Sequence, residues 1–422
     1  MRPPSVDALA RSVEAVGLPH PLLVEAAREA VAAGAPDSVR ERAEALAAML
    51  LRPVINATGV LLHTNLGRAP LAVQREARYS SLELDLRTGK RGSRGASVAH
   101  LLSLCCGAES ALVVNNGASA LLLVLGSLAA EREVIVSRGE LVEIGGGFRI
   151  PEVLEASGAR LVEVGTTNRT RLSDYSAALG PGVALVLKVH QSNYRVVGFT
   201  ESVDVGSLGG LGVPVVFDIG SGLLDANAPW LEGPLPSWLA GEPAARQALA
   251  SGAALVTFSA DKLLGGPQGG VIAGRADLVA ACRSHPLYRA VRPGDLVLSA
   301  LQDVMLSYLR RDAASIAFWA MALTPPSALL GRAKALGVGE VVECEAVAGA
   351  GSLPGLTIPS AGVAVGGDVA ALLRERAVPI IARVADGRTV ADLRTVDPAD
   401  DDVLGAALRE VLGAGSRRSE AT

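Results

Sequence analysis

The segment from Glu109 to Gly274 constrains the fold most, because short apolar runs of strand character alternate there with helical pieces. Such alternation predicts a mostly parallel sheet with helices on both faces. Ligands of these sheets bind beyond the carboxyl ends of the strands. The predicted strands are Ala111–Val114, Val134–Val136, Leu161–Val164, Val183–Val189, Val213–Phe217, Leu255–Phe258 and Val271–Ala273.

A single lysine, Lys262, lies between the last two of these strands. Two leucines and the run Gly265-Gly266-Pro267 follow it, which predicts a tight, irregular loop. Burial lowers the pKa of an ammonium group, and a neutral amine can form an imine with a carbonyl. Lysine is rare in this chain, where arginine is the ordinary cation. A chemical role for Lys262 therefore competes with a structural role in a strand–loop–strand bend.

Polar residues also follow other strands of the predicted sheet. Asp218 ends the run Val-Val-Phe-Asp, and a carboxylate in that position could keep the nitrogen of a bound aromatic ring protonated. His190 follows another strand, and Ser259 lies three residues before Lys262. A phosphate seat at a helix N-terminus is predicted at Asn116, Gly117, Ala118 and Ser119. Each residue also has a structural explanation, such as a helix cap, a satisfied histidine or a strand-end turn.

Two long motifs resemble those of one family. The run S-x-D-K-L-L-G-G-P-Q-x-G, which starts at Ser259, resembles the cofactor-lysine segment of bacterial selenocysteine synthase, L-seryl-tRNA(Sec) selenium transferase. Residues 56–68 resemble its N-A-T-G-x-x-x-H-T-N-L-G-R signature, in a stretch that we predict to be a loop. The resemblance covers nearly the whole chain. It implies an α/β protein with the type I pyridoxal-phosphate transferase fold, which is that of aspartate aminotransferase.

The resemblance also implies a reaction. Lys262 would hold pyridoxal 5'-phosphate as an imine and move the substrate's Cα proton, and Asp218 would keep the ring protonated. Residues 116–119, His190 and Ser259 would contact the cofactor. L-seryl-tRNA(Sec) would lose hydroxide by β-elimination to give aminoacrylyl-tRNA. Selenium from selenophosphate would then add, to give L-selenocysteinyl-tRNA(Sec).

Two groups of cations are candidates for binding the selenophosphate anion. Glycines beside the first group would let backbone N–H groups approach an anion together with the side chains. The family has T-G-K-R-G-x-R and R-A-x-R in these places, but here the second motif continues into Pro293-Gly294-Asp295. A solvated charged surface or a subunit contact is the alternative. The candidates are Arg87, Lys90, Arg91, Arg94, Arg289 and Arg292.

Composition excludes several other classes of protein. A net charge of −4 argues against a strongly basic nucleic-acid binder. The four cysteines lack zinc-site spacing, so we expect no metal. The N-terminus has no apolar signal core, and Asn115-Asn116-Gly117 interrupts the uncharged run Ala111–Ala130. We therefore expect a cytoplasmic protein without membrane spans.

The predicted domains follow from these elements. Residues 1–52 form a helical module, which in this family binds the tRNA. Residues 53–295 form the large domain that binds the cofactor. A bridging helix and a small α+β domain occupy residues 296–413, and a disordered tail occupies residues 414–422. The resemblance implies a homo-oligomer, since the family forms ring-like decamers built from dimers.

Two other functions remain open at this point. One is a related pyridoxal-phosphate lyase acting on a small amino or sugar acid, a class that generally lacks the N-terminal module. The other is a non-catalytic tRNA-binding scaffold, against which Lys262, Asp218 and the glycine-rich loop argue. Arg383 and Arg394 also lie in signatures similar to the family's, and we interpret both as structural.

Overall fold

A computed structural model describes residues 5–71, 79–145, 147–349 and 352–419. The chain forms two compact units. The smaller unit contains the residues up to Ile55 together with Arg374–Ile380, and the larger contains Asn56–Leu373 and the chain from Ile381 onward. The first boundary lies close to the predicted one at residue 52. The predicted division at residues 295 and 296 falls inside the larger unit and does not separate compact units.

The elements are numbered in chain order. The strands are β1 Ile55–Ala57, β2 Val60–Leu62, β3 Ser110–Val114, β4 Glu133–Ser137, β5 Glu143–Ile144, β6 Phe148–Arg149, β7 Arg160–Val164, β8 Val183–Val189, β9 Val215–Gly220, β10 Leu255–Ser259, β11 Gly270–Gly274, β12 Glu340–Gly349, β13 Ile358–Gly366, β14 Ile380–Ala385 and β15 Arg388–Asp392. The α-helices are α1 Val6–Ser12, α2 His20–Ala32, α3 Val39–Met49, α4 Ala96–Cys106, α5 Gly117–Leu128, α6 Ile150–Ala156, α7 Leu172–Ala178, α8 Val205–Gly209, α9 Ala245–Ala250, α10 Ala276–Ser284, α11 Pro286–Val291, α12 Asp295–Arg310, α13 Ala317–Leu323, α14 Pro326–Leu336, α15 Ala370–Arg374 and α16 Asp401–Ser419.

The smaller unit contains the three predicted helices, α1 to α3. Ser5 caps α1 by accepting a hydrogen bond from the backbone N–H of Ala8 at 3.2 Å. Alanines from all three helices form much of its buried core, together with Leu23. This unit therefore has an apolar core of its own.

The main sheet has the strand order β3-β11-β10-β9-β8-β4-β7. Strand β11 is antiparallel to β3 and β10, whereas the pairs among β10, β9, β8, β4 and β7 are parallel. The prediction of a mostly parallel sheet is therefore confirmed. Its strands are short apolar runs because both faces are buried under helices. Strand β9 begins later than predicted, at Val215, since Pro214 has no N–H to donate to a neighbouring strand.

A second sheet has the strand order β1-β14-β15-β13-β12-β2. Strands β12, β13, β15 and β14 pair antiparallel in that order, while β2 runs parallel to β12. The prediction that the stretch after Ile55 is a loop is wrong in part, because β1 and β2 both lie there. Its strands form by pairing with chain far away in sequence, as when Val60 aligns with Val347.

Two other predictions concern helices. The uncharged run Ala111–Ala130 forms β3 and then α5, as predicted, and no helix within the described part of the chain is long and apolar enough to cross a membrane. The disordered tail predicted from residue 414 is wrong as far as Ser419, because α16 continues to that residue. No proline interrupts the helix, so nothing in its sequence forces an earlier end. Residues 420–422 lie outside the described residues.

Candidate active site

Lys262 lies in the loop between β10 and β11, and only 4% of its surface is exposed. The backbone N–H of Gly265 donates to the carbonyl of Lys262 at 2.8 Å. Gly265 has a φ of +71°, and a Cβ there would stand 2.5 Å from the side chain of Ile316. The loop therefore needs glycine at this position, for its backbone angle and for its packing.

Buried aromatic side chains support this loop from behind. The hydroxyl of Tyr308, on α12, donates to the carbonyl of Leu264 at 2.8 Å. The indole N–H of Trp319 donates in turn to the Tyr308 hydroxyl at 2.6 Å. Trp230 packs edge-on against Tyr308, with ring centroids 4.6 Å apart. The predicted bridging helix thus fixes the backbone directly after Lys262.

Asp218 lies near the end of β9, the strand beside β10, and is buried. The hydroxyl of Thr257 donates to its Oδ1 at 2.9 Å. Burial raises the pKa of the Asp218 carboxyl, while the Thr257 hydrogen bond and the positive charge of Lys262 act to lower it. A cationic partner would relieve the cost of this buried charge, as a pyridinium nitrogen does.

The pKa of the Lys262 ammonium group is lowered, mainly by burial and then by the positive charge of Arg68. The negative charges of Asp218, Asp261 and Glu242 act in the opposite direction. Arg68 itself pairs with Asp261, with Nη1 and Oδ2 2.8 Å apart. Sequence reasoning quoted Arg68 and Asp261 only as letters of motifs and missed this pair. It missed Glu242 altogether, and no sequence signal marks that residue.

The residues of the predicted phosphate seat lie at the start of α5. The side-chain oxygen of Asn116 caps the helix by accepting from the N–H of Ser119 at 2.8 Å. Ser259 is the last residue of β10. A Cβ atom on Gly117 would stand 2.6 Å from the hydroxyl oxygen of Ser259. Gly117 therefore lets the Ser259 hydroxyl approach the helix N-terminus, where an anion is favoured.

Several buried polar atoms at the ends of β8 and β9 have no hydrogen-bond partner among the described residues. They include the hydroxyls of Ser192 and Ser221, whereas the Nε2 atom of His190, also without a hydrogen bond, faces Glu242 Oε2 at 3.5 Å. Buried polar groups in folded proteins are normally paired, so such atoms at strand ends indicate a place for a polar ligand. Together with Lys262 and Asp218 they suit a ring that carries polar substituents, a carbonyl and a phosphate.

The predicted cations lie in two places. Arg87 and Lys90 are exposed in the turn that connects the bridged residues Leu84 and Arg91, and Arg289 is exposed on α11. Arg91, Arg94 and Arg292 gather around Glu83, with N···O distances of 2.7, 2.7 and 3.9 Å. The two predicted groups therefore meet, but around a carboxylate that sequence reasoning missed.

The segment of Arg292 also adjoins the predicted phosphate seat. The backbone N–H of Asn115 donates to the carbonyl of Val291 at 2.9 Å. The Nε atom of Arg292 is buried without a hydrogen-bond partner in the described chain. One arginine of the cluster thus lies next to the strand end that leads into α5.

Arg383 and Arg394 make structural contacts. Arg383 donates to the carbonyl of Thr58 at 2.8 Å and pairs with Asp392 at 3.2 Å. Arg394 is 3% exposed and donates to the carbonyls of Met321, Ala322 and Pro359. These contacts agree with the structural interpretation of both residues.

Known proteins resemble this chain in sequence and in fold. The family model described as L-seryl-tRNA selenium transferase matches residues 54–397. The L-seryl-tRNA(Sec) selenium transferase of Moorella thermoacetica is 47% identical over 394 residues, covering 86% of this chain and 82% of the relative. That of Carboxydothermus hydrogenoformans is 45% identical over 374 residues, covering 82% and 78%.

Among solved structures, D-glucosaminate-6-phosphate ammonia-lyase is similar with a TM-score of 0.61 and 20% identity, covering 87% of this chain and 97% of that one. This likeness concerns the fold alone, and it agrees with the predicted type I transferase fold. The sequence matches extend across both sheets and include the lysine loop. The chain belongs to the L-seryl-tRNA selenium transferase family.

Proposed function

We propose that this chain is an L-seryl-tRNA(Sec) selenium transferase, which makes L-selenocysteinyl-tRNA(Sec) from L-seryl-tRNA(Sec) and selenophosphate. The observation that carries the proposal is the buried Lys262 with a lowered pKa, beside buried Asp218, in a chain of this family. Relatives at 45% and 47% identity carry that name. The direct test is mass spectrometry of seryl-tRNA(Sec) after incubation with the protein and selenophosphate.

Pyridoxal 5'-phosphate is the cofactor that these residues fit. Lys262 would hold its carbonyl carbon, Asp218 would face its ring nitrogen, and Ser259 would bind its phosphate together with residues 116–119. When bound, the cofactor supplies an electron sink for the bond between the seryl Cα and its hydrogen. Purified protein with the cofactor attached should be yellow, and borohydride should bleach it.

Different residues of the chain have different roles in the proposed reaction. Lys262, once free of the cofactor, takes the Cα proton of the seryl group and later returns it, for which it needs a neutral amine. The lowered pKa of Lys262 favours that form at neutral pH. The arginines around Glu83 and the exposed Arg289 are the proposed seat of selenophosphate, since guanidinium groups bind such anions in a forked geometry.

The esterified carboxyl of seryl-tRNA separates this proposal from the alternatives. An enzyme for free amino acids normally needs an arginine for the substrate carboxylate, whereas a tRNA ester does not. The lyase alternative has support from the fold alone. The scaffold alternative leaves the buried Lys262 and Asp218 without a role. We also propose a homo-oligomer, which light scattering of the purified protein would test.

Replacing Arg68 with glutamine should shift covalent capture of the cofactor to higher pH. The positive charge of Arg68 lowers the pKa of Lys262, and its removal also frees Asp261 to raise that pKa further. The neutral amine that attacks the cofactor's carbonyl would then form only at higher pH. The measurement is the rate at which the cofactor-free variant gains the absorbance of bound cofactor, as a function of pH.

Arg138→Gln is the matched control, because Arg138 is exposed and pairs with Glu163 at 2.9 Å. It should leave the pH profile unchanged. A profile that shifts to lower pH in Arg68→Gln, or equally in both variants, would contradict the role given to Arg68.

Deleting residues 1–52 should weaken tRNA(Sec) binding and leave cofactor absorbance unchanged. The deleted helices have their own apolar core, and the cofactor residues all begin later in the chain. Filter binding at fixed salt measures the first quantity, since phosphate contacts depend on salt. Equal tRNA affinity of the full and shortened proteins would show that the helical unit has another role.

A further inference from the structure

A buried acid and a histidine lie beside the lysine site, and Glu242 has no part in the chemistry described above. Glu242 is in the loop before α9, and its side chain is 3% exposed. The Nε2 atom of His190, just after β8, lies 3.5 Å from Glu242 Oε2. Among the described residues, neither His190 Nε2 nor Glu242 Oε1 has a hydrogen-bond partner. A buried carboxylate without a donor is costly, so this one requires a donating or positive neighbour.

Both residues line a cavity of about 530 Å³ at the carboxyl ends of the parallel strands. The pair also interacts with the catalytic residues through its charges. A positive charge on His190 acts to lower the pKa of Asp218, and the carboxylate of Glu242 acts to raise the pKa of Lys262. The backbone N–H of His190 also donates to the carbonyl of Asp218 at 2.9 Å, which connects this side of the cavity to the strand end that carries Asp218.

The orientation of the ring determines what the histidine can do. Since Nε2 faces Glu242, Nδ1 is the nitrogen left to contact a ligand. A carboxylate beside one imidazole nitrogen fixes the tautomer and stabilises the imidazolium ion. We propose that His190, held by Glu242 through Nε2, donates its Nδ1 proton to the hydroxyl oxygen of the seryl group as the Cβ–O bond breaks. This inference rests on the proposed function.

The proton balance of this step is complete. Lys262 takes the proton from Cα, and the electron pair of the Cβ–O bond leaves with the oxygen. The Nδ1 proton joins that oxygen, so the leaving group departs as water rather than hydroxide. His190 remains neutral with its proton on Nε2, facing Glu242, and Nδ1 regains a proton from solvent. His190 is thus a catalytic residue in this proposal, and Glu242 is a positioning residue.

Other charges border the pair and belong to its environment. Asp218 and Lys262 lie at the neighbouring strand ends. Across the cavity, Lys188 and Glu140 form a buried ion pair with Nζ and Oε1 2.8 Å apart. The remaining charged residues lining the cavity are Arg169, Arg195 and Glu201. Among the described residues, Glu242 is the acid whose carboxylate lies within 4 Å of the His190 ring.

The first experiment follows deuterium exchange at the imidazole C2 position of each histidine by mass spectrometry, as a function of pH. It needs no bound cofactor. Glu242→Gln should change the exchange profile of His190, because the carboxylate that faces Nε2 is lost, and Glu242→Asp should largely restore the profile. Glu201→Gln, which removes a negative charge from the same cavity, should leave the profile unchanged. An unchanged His190 profile in Glu242→Gln would overturn the pairing.

The second experiment compares leaving groups in a single turnover without selenophosphate, at saturating cofactor. Chloride leaves without a proton, so 3-chloroalanyl-tRNA(Sec) bypasses a proton donor that seryl-tRNA(Sec) needs. His190→Gln should slow elimination from the seryl substrate by about 100-fold or more and from the chloroalanyl substrate only a few-fold. Glu242→Gln should show the same selectivity to a smaller extent.

The outcomes separate this inference from the proposed function. Equal loss on both substrates would overturn proton donation and assign His190 to cofactor or substrate binding, which cofactor absorbance would register. If the unaltered enzyme eliminated nothing from seryl-tRNA(Sec), the proposed function would be wrong. The proposed proton transfer from His190 to the seryl hydroxyl group would then be wrong as well. The deuterium measurement would still decide whether His190 and Glu242 form a pair.

Discussion

Lys262→Ala should abolish covalent cofactor binding and turnover while leaving tRNA(Sec) affinity nearly unchanged. The amine is needed twice, to hold the cofactor and to move the Cα proton. Proton transfer by a positioned group alone contributes about 10²–10⁴ in rate. Absorbance of the bound cofactor, a single-turnover assay on seryl-tRNA(Sec) and filter binding measure the three quantities.

The matched control is Lys334→Ala, which removes an exposed lysine from α14. It should behave as the unaltered protein in all three measurements. Because Lys262 is buried, its replacement leaves a small cavity, and a melting curve should confirm that the variant is folded. Turnover of a folded Lys262→Ala protein near that of the control would remove Lys262 from the mechanism.

The main sheet was predictable because each strand is a local apolar run between turn residues. Strand β8 occupies the predicted Val183–Val189, and the neighbouring strands differ from prediction mainly at their ends. Strands of a buried sheet can be recognised from their own residues, because both faces of the sheet exclude polar side chains. The order of the strands could not be predicted from the runs themselves, because it depends on pairing between segments that are distant in sequence.

The strands β1 and β2 could not be predicted in the same way. Their motif surrounds Gly59, where φ is +76° and a Cβ would stand 2.3 Å from the carboxylate of Asp392. Arg383 contacts the same carboxylate. Three motifs that are distant in sequence therefore meet around the ion pair of Arg383 with the buried Asp392. The sequences of these motifs indicated family membership. The contacts that explain why these residues are needed appear only in the folded chain.

The active site shows the same division. Lys262, Asp218 and Ser259 follow predicted strands, so they could be proposed from the rule that sites lie at the carboxyl ends of strands. Glu242 lies in an irregular loop, and its proximity to His190 depends on how that loop folds back. Glu83 lies outside any predicted element, yet three arginines contact it. Charge partners in loops leave no periodic pattern by which a sequence could reveal them.

Replacing Arg289 and Arg292 together with alanine should block selenium addition and spare elimination of the seryl hydroxyl group. Elimination from seryl-tRNA(Sec) needs no second anion, whereas addition requires bound selenophosphate. A charge-assisted hydrogen bond to an anion is worth about 1.5–3 kcal/mol, or roughly 10- to 150-fold for each arginine. The variant should therefore accumulate aminoacrylyl-tRNA, and a higher selenophosphate concentration should partly restore the product.

The geometry around Glu83 makes this test informative. Arg292 lies 3.9 Å from Glu83, while Arg94 and Arg91 both contact that carboxylate at 2.7 Å. Loss of Arg292 thus leaves Glu83 paired, and the fold should tolerate it. The control for the change in net charge is a double variant, Arg275→Ala with Arg310→Ala, which removes two exposed arginines from other parts of the chain. Arg289→Ala alone involves no contact with Glu83 and should show the same selective defect to a smaller degree. If elimination and addition declined in parallel, the two arginines would be structural, and the anion would have to bind elsewhere.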